Sequence, residues 1–333
     1  MSLLDNALVT SDLHLTDNPK DEYRWGIFPW LREIAKKKGV GTLLILGDIT
    51  DAKDRHSSVL VNRVVEELTS LTNVKTEVWV LRGNHDGIDP ARPYFRFLQH
   101  VPNIHFVYEP TTIMDTLLLP HSRDPRVDWQ GFELSCYRWV LAHATVTGVL
   151  AENGQLLAGV PRDLFSSARA VLSGDVHVPQ TVENVTYVGA PYPIRFGDSF
   201  TPRVMMFRNE EHVEDFHYLC PHRLMVNVIG ADLIADGEIH PRDQIKVRVH
   251  LSRAEALDWE KHRATVIQAV EEAGAELHGV ELIVDRQTEK SAEPVPVRES
   301  TSDVELLKEF CEREKLDADT IEMGELLLER TEP

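Results

Sequence analysis

Five short polar segments, each directly after a strand-like apolar run, constrain this chain more than any other feature of its sequence. They are Asp12-Leu13-His14, Gly47-Asp48-Ile49-Thr50-Asp51, Gly83-Asn84-His85-Asp86, Ala142-His143-Ala144 and Gly174-Asp175-Val176-His177. In α/β folds, the loops at the carboxyl ends of strands bring distant residues together. One such segment alone would be an ordinary turn, but the ordered set of five predicts a metal site at one edge of a sheet.

The first two thirds of the chain alternate β-rich runs with helical patterns, which is typical of stacked βαβ units in an α/β protein. Apolar residues recur at helical spacing from Val61 to Leu71, and Ser57 or Ser58 is the predicted N-cap of that helix. Buried strands are predicted at residues 8–10, 42–46, 78–81, 139–141 and 170–172.

The character of the sequence changes after Leu219, and four segments are predicted: a main domain (1–219), a small α/β cap (220–286), a linker (287–302) and a helical segment (303–333). The cap has strand patterns at 223–230, 244–251 and 280–284 and a helical pattern over 252–273 that begins with a capping box. The linker is polar and contains two prolines.

The helical segment 303–333 contains two short amphipathic patterns that cannot bury both apolar faces against each other. These faces either dock on the main domain or bind another protein, and the flexible linker before them favours the second arrangement.

Charge and cysteine content limit the classes of function. The net charge of -19 argues against easy nucleic-acid binding, although residues 302–333 alone hold 11 acidic and 4 basic side chains. Three widely separated cysteines favour a reducing, cytoplasmic setting over a disulfide framework or a thiolate zinc site. No run approaches the about 20 apolar residues of a membrane span, so no membrane partner is expected.

The ligand chemistry of the five segments indicates which metals to expect. Carboxylate and amide oxygens suit hard divalent cations, whereas imidazole suits manganese, iron and zinc. A set of Asp, Asn and His without thiolates therefore favours Mn²⁺, with Fe²⁺ and Zn²⁺ as alternatives and Mg²⁺ less favoured. Two-metal sites for phosphoryl chemistry need a carboxylate that bridges both ions. Asp48 is the candidate, because Gly47 before it leaves room for close backbone approach.

The order of the five motifs resembles that of the calcineurin-like metallophosphoesterases, which implies a two-sheet α/β sandwich and a metal-dependent hydrolase. Three further features resemble the double-strand-break repair nucleases of the SbcD (meiotic-recombination-eleven) family. These are the segment Gly189-Ala190-Pro191-Tyr192-Pro193-Ile194-Arg195-Phe196-Gly197, the cap, and the tethered helices, which in that family bind an SbcC-type ATPase. The resemblance thus extends over nearly the whole chain, with the cap and tail less specific than the metal motifs.

The resemblance also implies the ligand sets. The first ion would be bound by Asp12, His14, Asp48 and His177, and the second by Asp48, Asn84, His143 and Asp175. At Asp175 the chain departs from the family, which usually has histidine there. An anionic oxygen in place of a neutral imidazole favours a harder ion and weakens the positive charge facing the phosphate. Asp175 either ligates the second ion, directly or through water, or is an outer group beside a weakly held ion.

Three more residues are predicted to act near the substrate. His85 resembles the family histidine that contacts the phosphate and assists the leaving oxygen. Asp51 is expected to orient the site, and Asp86 either holds His85 by a hydrogen bond or only shapes the turn. For His56, His121 and Arg195 a role beside the substrate and an ordinary surface or core role are both open.

The resemblance implies a Mn²⁺-dependent DNA nuclease, exonucleolytic on duplex ends and endonucleolytic on single strands, in a DNA repair and recombination complex with an SbcC-type ATPase. Relatives also dimerise through helices near the active site, so helix 57–71 is either a homodimer contact or a core helix. Two alternatives stay open: a stand-alone phosphodiesterase for cyclic nucleotides or other small diesters, and a scaffold or regulatory subunit whose metal site has decayed.

Overall fold

The apolar runs of the first two thirds of the chain are strands of two six-stranded sheets. The computed structural model describes residues 2–229, 232–235 and 239–284. In spatial order, the first sheet consists of β12 (Glu211–Phe216), β11 (Val204–Arg208), β1 (Asn6–Thr10), β2 (Thr42–Ile45), β3 (Glu77–Leu81) and β4 (Ile104–Val107). The second consists of β5 (Thr111–Ile113), β6 (Thr116–Leu119), β7 (Trp139–His143), β8 (Val171–Gly174), β10 (Val185–Tyr187) and β9 (Gln180–Val182).

The centre of each sheet is parallel, and antiparallel strands lie at one edge of the first sheet and at both edges of the second. Strands β1 to β4 pair in parallel, and so do β6, β7, β8 and β10, while β11, β12, β5 and β9 pair antiparallel. All five polar motifs therefore lie at carboxyl ends of parallel strands, as predicted. This mixed α/β arrangement confirms the predicted two-sheet sandwich.

Alternate side chains of one strand belong to different cores, because both faces of each sheet are covered. Leu44 of β2 and Leu141 of β7 meet in the core between the sheets, whereas Leu43 and Ile45 face the helices on the outer side of the first sheet. These helices are α1 (Ile27–Lys38) and α2 (Ser58–Thr72), and Ser57 caps α2 by accepting a hydrogen bond from Leu60 N. The near-continuous apolar runs of the sequence follow from this double burial.

Helix α2 buries its apolar face, including Leu60, Val64 and Leu68, in the main core. A dimer contact through this helix would therefore have to use its other face. In the described residues before the predicted cap, the other short helices are α3 (Pro125–Asp128) and four 3-10 segments, Pro19–Gly26, Tyr94–His100, Leu134–Cys136 and Arg162–Phe165.

The predicted cap contains a third sheet with its own core. Its strands are, in spatial order, β14 (Asp232–Ala235), β13 (Arg223–Ile229), β15 (Gln244–Leu251) and β16 (Glu276–Val284). Helix α4 (Trp259–Glu272) packs on it, preceded by a 3-10 turn at Glu255–Asp258. The capping box predicted at Ser252 forms with Glu255, but it precedes the 3-10 turn and the α-helix starts later than predicted.

Buried polar contacts join the cap sheet to the first domain. Arg223 Nη2 donates to Asp21, Arg223 Nη1 donates to Ile194 O at 2.7 Å, and Gln244 Nε2 donates to Lys20 O at 2.7 Å. Residues 1–284 accordingly form one compact unit, and the predicted boundary between main domain and cap stays a prediction. The predicted linker (287–302) and helical segment (303–333) lie outside the described residues. In the described part of the chain, no helix is long and apolar enough to cross a membrane.

Candidate metal centre

The first two motif loops are held together by backbone hydrogen bonds that continue the parallel pairing of β1 and β2 beyond the strands. Asp12 N donates to Gly47 O at 3.1 Å, and His14 N donates to Asp48 O at 3.0 Å. A Cβ on Gly47 would lie 2.1 Å from His143 Nδ1, so only glycine lets the second motif approach His143 of the fourth this closely. The local backbone therefore fixes Asp12, His14 and Asp48 side by side.

Asp86 joins the third loop to the second. Its fully buried carboxylate accepts hydrogen bonds from the backbone N–H groups of Asp48 (2.9 Å), Ile49 (2.9 Å) and Gly83 (2.7 Å). Burial, followed by repulsion from Asp48, raises the pKa of Asp86 to about 6. Among the hydrogen bonds of the described residues, none joins Asp86 to the His85 side chain, so the contacts of Asp86 match the loop-shaping alternative.

Four of the predicted ligands have backbone conformations that residues other than glycine rarely adopt. The φ angles are 56° at Asp12, 42° at His14, 55° at Asp48 and 77° at Asp175. Each such residue costs on the order of 1–3 kcal/mol unless surrounding structure holds it, and such strain concentrates at functional sites. These four residues contribute side chains to one cluster at the ends of the strands.

One group of ligand atoms comes from Asp12, His14 and His177, whose ligand atoms lie within 4.8 Å of one another. The Nε2 atoms of His14 and His177 are 3.1 Å apart. Asp12 Oδ2 is buried and has no hydrogen-bond partner among the described residues. Burial raises the pKa of Asp12, an effect that the nearby imidazoles only partly offset.

A second group surrounds His143, which is completely buried. Its Nδ1 lies 2.6 Å from Leu46 O, and because a carbonyl only accepts, Nδ1 donates and Nε2 faces the site. His143 Nε2 is 3.2 Å from the Asn84 amide, 3.5 Å from Asp48 Oδ1 and 3.6 Å from Asp175 Oδ1. The predicted ligands of the second ion therefore surround one point.

Asp48 lies between the two groups, with one oxygen toward each. Oδ2 is 3.6 Å from His14 Nε2 and Oδ1 is 3.5 Å from His143 Nε2. Burial alone would raise the pKa of Asp48, but attraction and hydrogen bonding from His143 outweigh it and lower the pKa. His143 responds in the opposite direction: burial opposes its charged form, yet Asp48 raises the pKa of His143 well above the usual value. This placement suits the bridging role predicted for Asp48.

Asp12 also contacts both groups, which the sequence did not indicate. Its ligand atom lies within 4.8 Å of those of Asp48 and His143, in addition to those of His14 and His177. Asp12 Oδ1 accepts a hydrogen bond from Asp175 N at 3.2 Å, which ties the first motif to the last. Two carboxylates, rather than one, thus lie at the centre of the cluster.

Two acidic side chains outside the predicted ligand set contact imidazoles that belong to it. Glu152, on the irregular segment after β7, has Oε1 2.5 Å from His177 Nδ1, and this contact lowers the pKa of Glu152 to about 2. Although burial opposes it, the same contact raises the pKa of His177. Asp51 Oδ1 is 3.2 Å from His14 Nδ1, a geometry that orients the ring. Glu152 carries no motif signal, and sequence reasoning missed it.

Asp175 points one oxygen at the site and the other at a threonine. Thr145 Oγ1 donates to Asp175 Oδ2 at 2.6 Å, while Oδ1 faces His143. Thr145, two residues after His143, was also missed by sequence reasoning. Its hydroxyl holds the carboxylate in the orientation that leaves Oδ1 available as a ligand.

His85 lies at the mouth of the cluster. Its Nδ1 is 2.6 Å from Asp51 O and therefore donates, and its backbone N donates to Asp48 Oδ1 at 2.8 Å. The ring packs edge-on to His14 with centroids 4.9 Å apart. His85 Nε2 is thus left for a substrate, while Asp51 contributes its carbonyl to His85 and its carboxylate to His14.

The three residues whose role the sequence left open lie in different surroundings. His121 packs edge-on to His143, and burial, followed by the charge on His143, lowers the pKa of His121 to about 4. Arg195 is exposed and lines the opening beside His177 and Glu152. His56 instead packs on Tyr94, with ring centroids 4.2 Å apart, and has no place in the cluster.

The residues present fit divalent cations. The Nε2 atoms of His14 and His177 face each other, and the buried Asp12 Oδ2 has no hydrogen-bond partner among the described residues. Asn84 Oδ1 faces only acceptors, and either a rotation of the amide or a cation between the oxygens would remove this repulsion. Carboxylate, amide and imidazole donors without thiolates are the ligands of Mn²⁺, Fe²⁺ or Zn²⁺. The cavity over the cluster has a volume of about 250 Å³ and is lined by His14, Asp48, Asn84, His85 and Arg195, among others.

Comparison with known proteins places this cluster in a family. The family model described as "Calcineurin-like phosphoesterase" matches residues 6–179, a range that contains all five motifs. A relative, "Exonuclease subunit 1" of Enterobacteria phage T4, is 24% identical over 220 residues, which cover 62% of this chain and 65% of the phage protein. The chain thus matches less than two thirds of that relative's length.

A solved structure, that of Pseudomonas putida nuclease MPE, is 17% identical in sequence to this chain. The match covers 62% of this chain and 85% of the nuclease, and its TM-score of 0.32 is too low to imply a shared fold. The matched motifs and the geometry of their side chains agree with the predicted metal-dependent phosphoesterase. The chain belongs to the calcineurin-like phosphoesterase family.

Proposed function

We propose that this chain is a Mn²⁺-dependent DNA nuclease. The observation that carries the proposal is the position of Asp48, with one carboxylate oxygen toward His14 and the other toward His143. Two-metal hydrolases of phosphodiesters need such a shared carboxylate. The similarity to a phage protein named as an exonuclease subunit supports a nucleic acid as the substrate.

The two groups would hold two ions. Asp12, His14, Asp48 and His177 surround the first position, and Asp48, Asn84, His143 and Asp175 the second. Divalent cations bound there supply Lewis-acid polarisation of the phosphoryl oxygens. The protein's part is to keep His143 Nδ1 protonated through Leu46 O, so that Nε2 is the atom presented to the ion.

His85 has the position of the general acid in this proposal. Because Asp51 O accepts from His85 Nδ1, the ring is fixed with Nε2 available at the opening of the cavity. An imidazolium at this position stabilises developing negative charge and transfers its Nε2 proton to the leaving oxygen. Arg195, exposed at the same opening, contributes a second positive charge toward the phosphate.

The assembly is also a proposal. The tethered segment 303–333 would bind an SbcC-type ATPase, and the chain would be the nuclease subunit of an SbcCD-like repair and recombination complex. It would act exonucleolytically on duplex ends and endonucleolytically on single strands, in the cytoplasm. The support is the resemblance of the cap and tail patterns in the sequence, together with the subunit named in the phage relative.

A stand-alone phosphodiesterase for small diesters is the second candidate. The net charge of -19 disfavours a polyanionic substrate, and the 250 Å³ cavity over the metal cluster accommodates a single phosphate diester without any neighbouring strand. A decayed metal site is the third candidate, and it rests on Asp175 replacing the usual histidine.

The test is hydrolysis with Mn²⁺ of linear duplex DNA, circular single-stranded DNA and bis(p-nitrophenyl) phosphate. Asp48→Asn and His85→Gln are compared with the exposed controls Asp163→Asn and His100→Gln. The proposal expects DNA cleavage that falls about 100-fold or more in both site variants and not in the controls. Fast hydrolysis of the small diester without DNA cleavage, also after addition of a candidate ATPase, would favour the second candidate. Absence of bound metal in excess Mn²⁺ would favour the third.

A further inference from the structure

A second, larger cavity lies beside the metal cluster and shares Asp175 with it. Its volume is about 600 Å³, within the range of pockets that hold small ligands. Residues 121–126, after β6, form one wall, residues 158–161 form the other, and Ala144 and Thr145, after β7, lie between them. The cavity therefore adjoins the proposed second ion position at Asp175.

Both walls are anchored. Arg82 donates to His121 O at the start of the first wall, and Trp129, just beyond it, packs on Phe165 with ring centroids 5.9 Å apart. In the second wall, Val160 N donates to Thr145 O at 2.8 Å. A cavity between two fixed walls is preformed, as small-molecule sites usually are.

The first wall holds two arginines and one carboxylate, Asp124, so it is net positive in an acidic protein. Arg123 and Arg126 both line the cavity and are exposed, and within the described part of the chain neither pairs with a carboxylate. Guanidinium groups bind phosphate through two parallel hydrogen bonds. With a net charge of -19, this chain needs such local groups of cations, beside any bound metal ions, to bind a polyanion.

The rest of the lining suits the remainder of a nucleotide. Pro125, Val160 and Leu164 supply apolar surface, and His121 Nδ1 is a buried polar atom without a partner among the described residues. A nucleotide combines an anionic phosphate, an apolar face and polar edges. The cavity offers a complement to each of these.

We propose that this cavity binds the nucleotide of a single DNA strand that adjoins the scissile phosphate on the Asp175 side, with Arg123 and Arg126 on its flanking phosphate. The inference rests on the proposed nuclease function and extends it. A small diester has no flanking nucleotide, so the cavity contributes to the hydrolysis of DNA and not to that of the small diester.

The experiment compares the unchanged chain with the double variant Arg123→Ala/Arg126→Ala, both loaded with Mn²⁺. The substrates are a single-stranded DNA oligonucleotide and bis(p-nitrophenyl) phosphate, and the quantity measured is the ratio of their kcat/KM values. This ratio cancels any general damage to the metal centre. The matched control is Arg169→Ala, an exposed arginine before β8, at the strand end opposite to Asp175.

In the double variant, the ratio is expected to fall about tenfold or more. The slope of log(kcat/KM) for DNA against log salt concentration should become shallower by about 0.7 for each phosphate that the variant no longer binds. An unchanged ratio and slope, with DNA still cleaved, would overturn the inference and leave the nuclease proposal standing. Hydrolysis of the small diester without cleavage of DNA by the unchanged chain would overturn both.

Discussion

Replacing Glu152 with glutamine should weaken Mn²⁺ binding, because in the proposed centre Glu152 would act on the metal through His177. The two side chains are largely buried, with 18% of Glu152 and 10% of His177 exposed, and the Oε1 to Nδ1 distance is 2.5 Å. A carboxylate beside Nδ1 increases the basicity of the ring, so that Nε2 binds a metal ion more tightly, and it also fixes the orientation of the ring. The glutamine keeps the shape and a neutral acceptor, and removes only the charge.

The magnitude follows from the geometry. Loss of a group that orients a metal ligand typically lowers metal affinity about 10- to 100-fold. Because glutamine still places an oxygen beside His177 Nδ1 and the carboxylate is partly screened by solvent, the lower end applies, about tenfold or 1.4 kcal/mol. Mn²⁺ titration by calorimetry measures this value, with Glu183→Gln as control, since Glu183 is exposed and pairs only loosely with Arg162 at 3.9 Å.

The pH dependence has a definite sign. Contact with Glu152 raises the pKa of His177, so below that pKa a proton competes with the metal and Mn²⁺ affinity falls as the pH falls. Without the Glu152 charge the proton is bound less tightly, so the affinity of the variant should fall less steeply. The tenfold difference in Mn²⁺ affinity between the unchanged chain and Glu152→Gln should thus be largest above the pKa of His177 and become smaller as the pH falls. An equal Mn²⁺ affinity of both proteins on the alkaline side would refute the reasoning.

Three further predictions concern packing, the cap contact and a thiol. Gly83→Ala should lower stability by about 1–3 kcal/mol and impair Mn²⁺ binding, because the new Cβ would lie 2.1 Å from Asp48 Oδ1. Thermal unfolding measures this, with Gly41→Ala as the control, since the nearest atom to its new Cβ is 3.9 Å away. Equal melting temperatures of the two variants would contradict the prediction. Arg223→Leu breaks a buried ion pair with Asp21 and should lower the free energy of unfolding in urea by about 3 kcal/mol. This is the low end of the usual cost of breaking a buried pair, because Arg24 remains 3.3 Å from Asp21. Arg248→Leu, which removes an exposed ion pair, should cost less than about 1 kcal/mol, and similar destabilisation in both variants would contradict the prediction. Burial raises the pKa of Cys220 to about 12, so at about pH 8 only ~1 in 10⁴ thiols is ionised, and iodoacetamide with peptide mapping should label the exposed Cys136 well before Cys220.

The fold and the location of the centre could be predicted because strand periodicity and polar strand ends are local signals. Leu8 to Thr10 and Thr42 to Leu46 read as strands from their own residues, and the parallel arrangement then requires Asp12 and Asp48 to share an edge. No knowledge of side-chain conformation was needed for that step.

The details that the sequence did not reveal depend on contacts between distant segments. Glu152 reaches His177 from an irregular segment without periodicity, and Asp12, whose backbone φ is 56°, lies in both groups. The loop-shaping contacts of Asp86 become evident only when its three backbone donors are in place. Tertiary packing and strained dihedral angles decide such features, and neither has a signature in a single sequence.

The most direct measurement is the number and magnetic coupling of Mn²⁺ ions bound by the purified chain, from elemental analysis and electron paramagnetic resonance. A carboxylate shared between adjacent ions predicts two ions per chain with a spin-coupled spectrum, and loss of the coupling in Asp48→Asn. A single uncoupled ion, or a coupled pair that persists in Asp48→Asn, would contradict a two-ion centre bridged by Asp48.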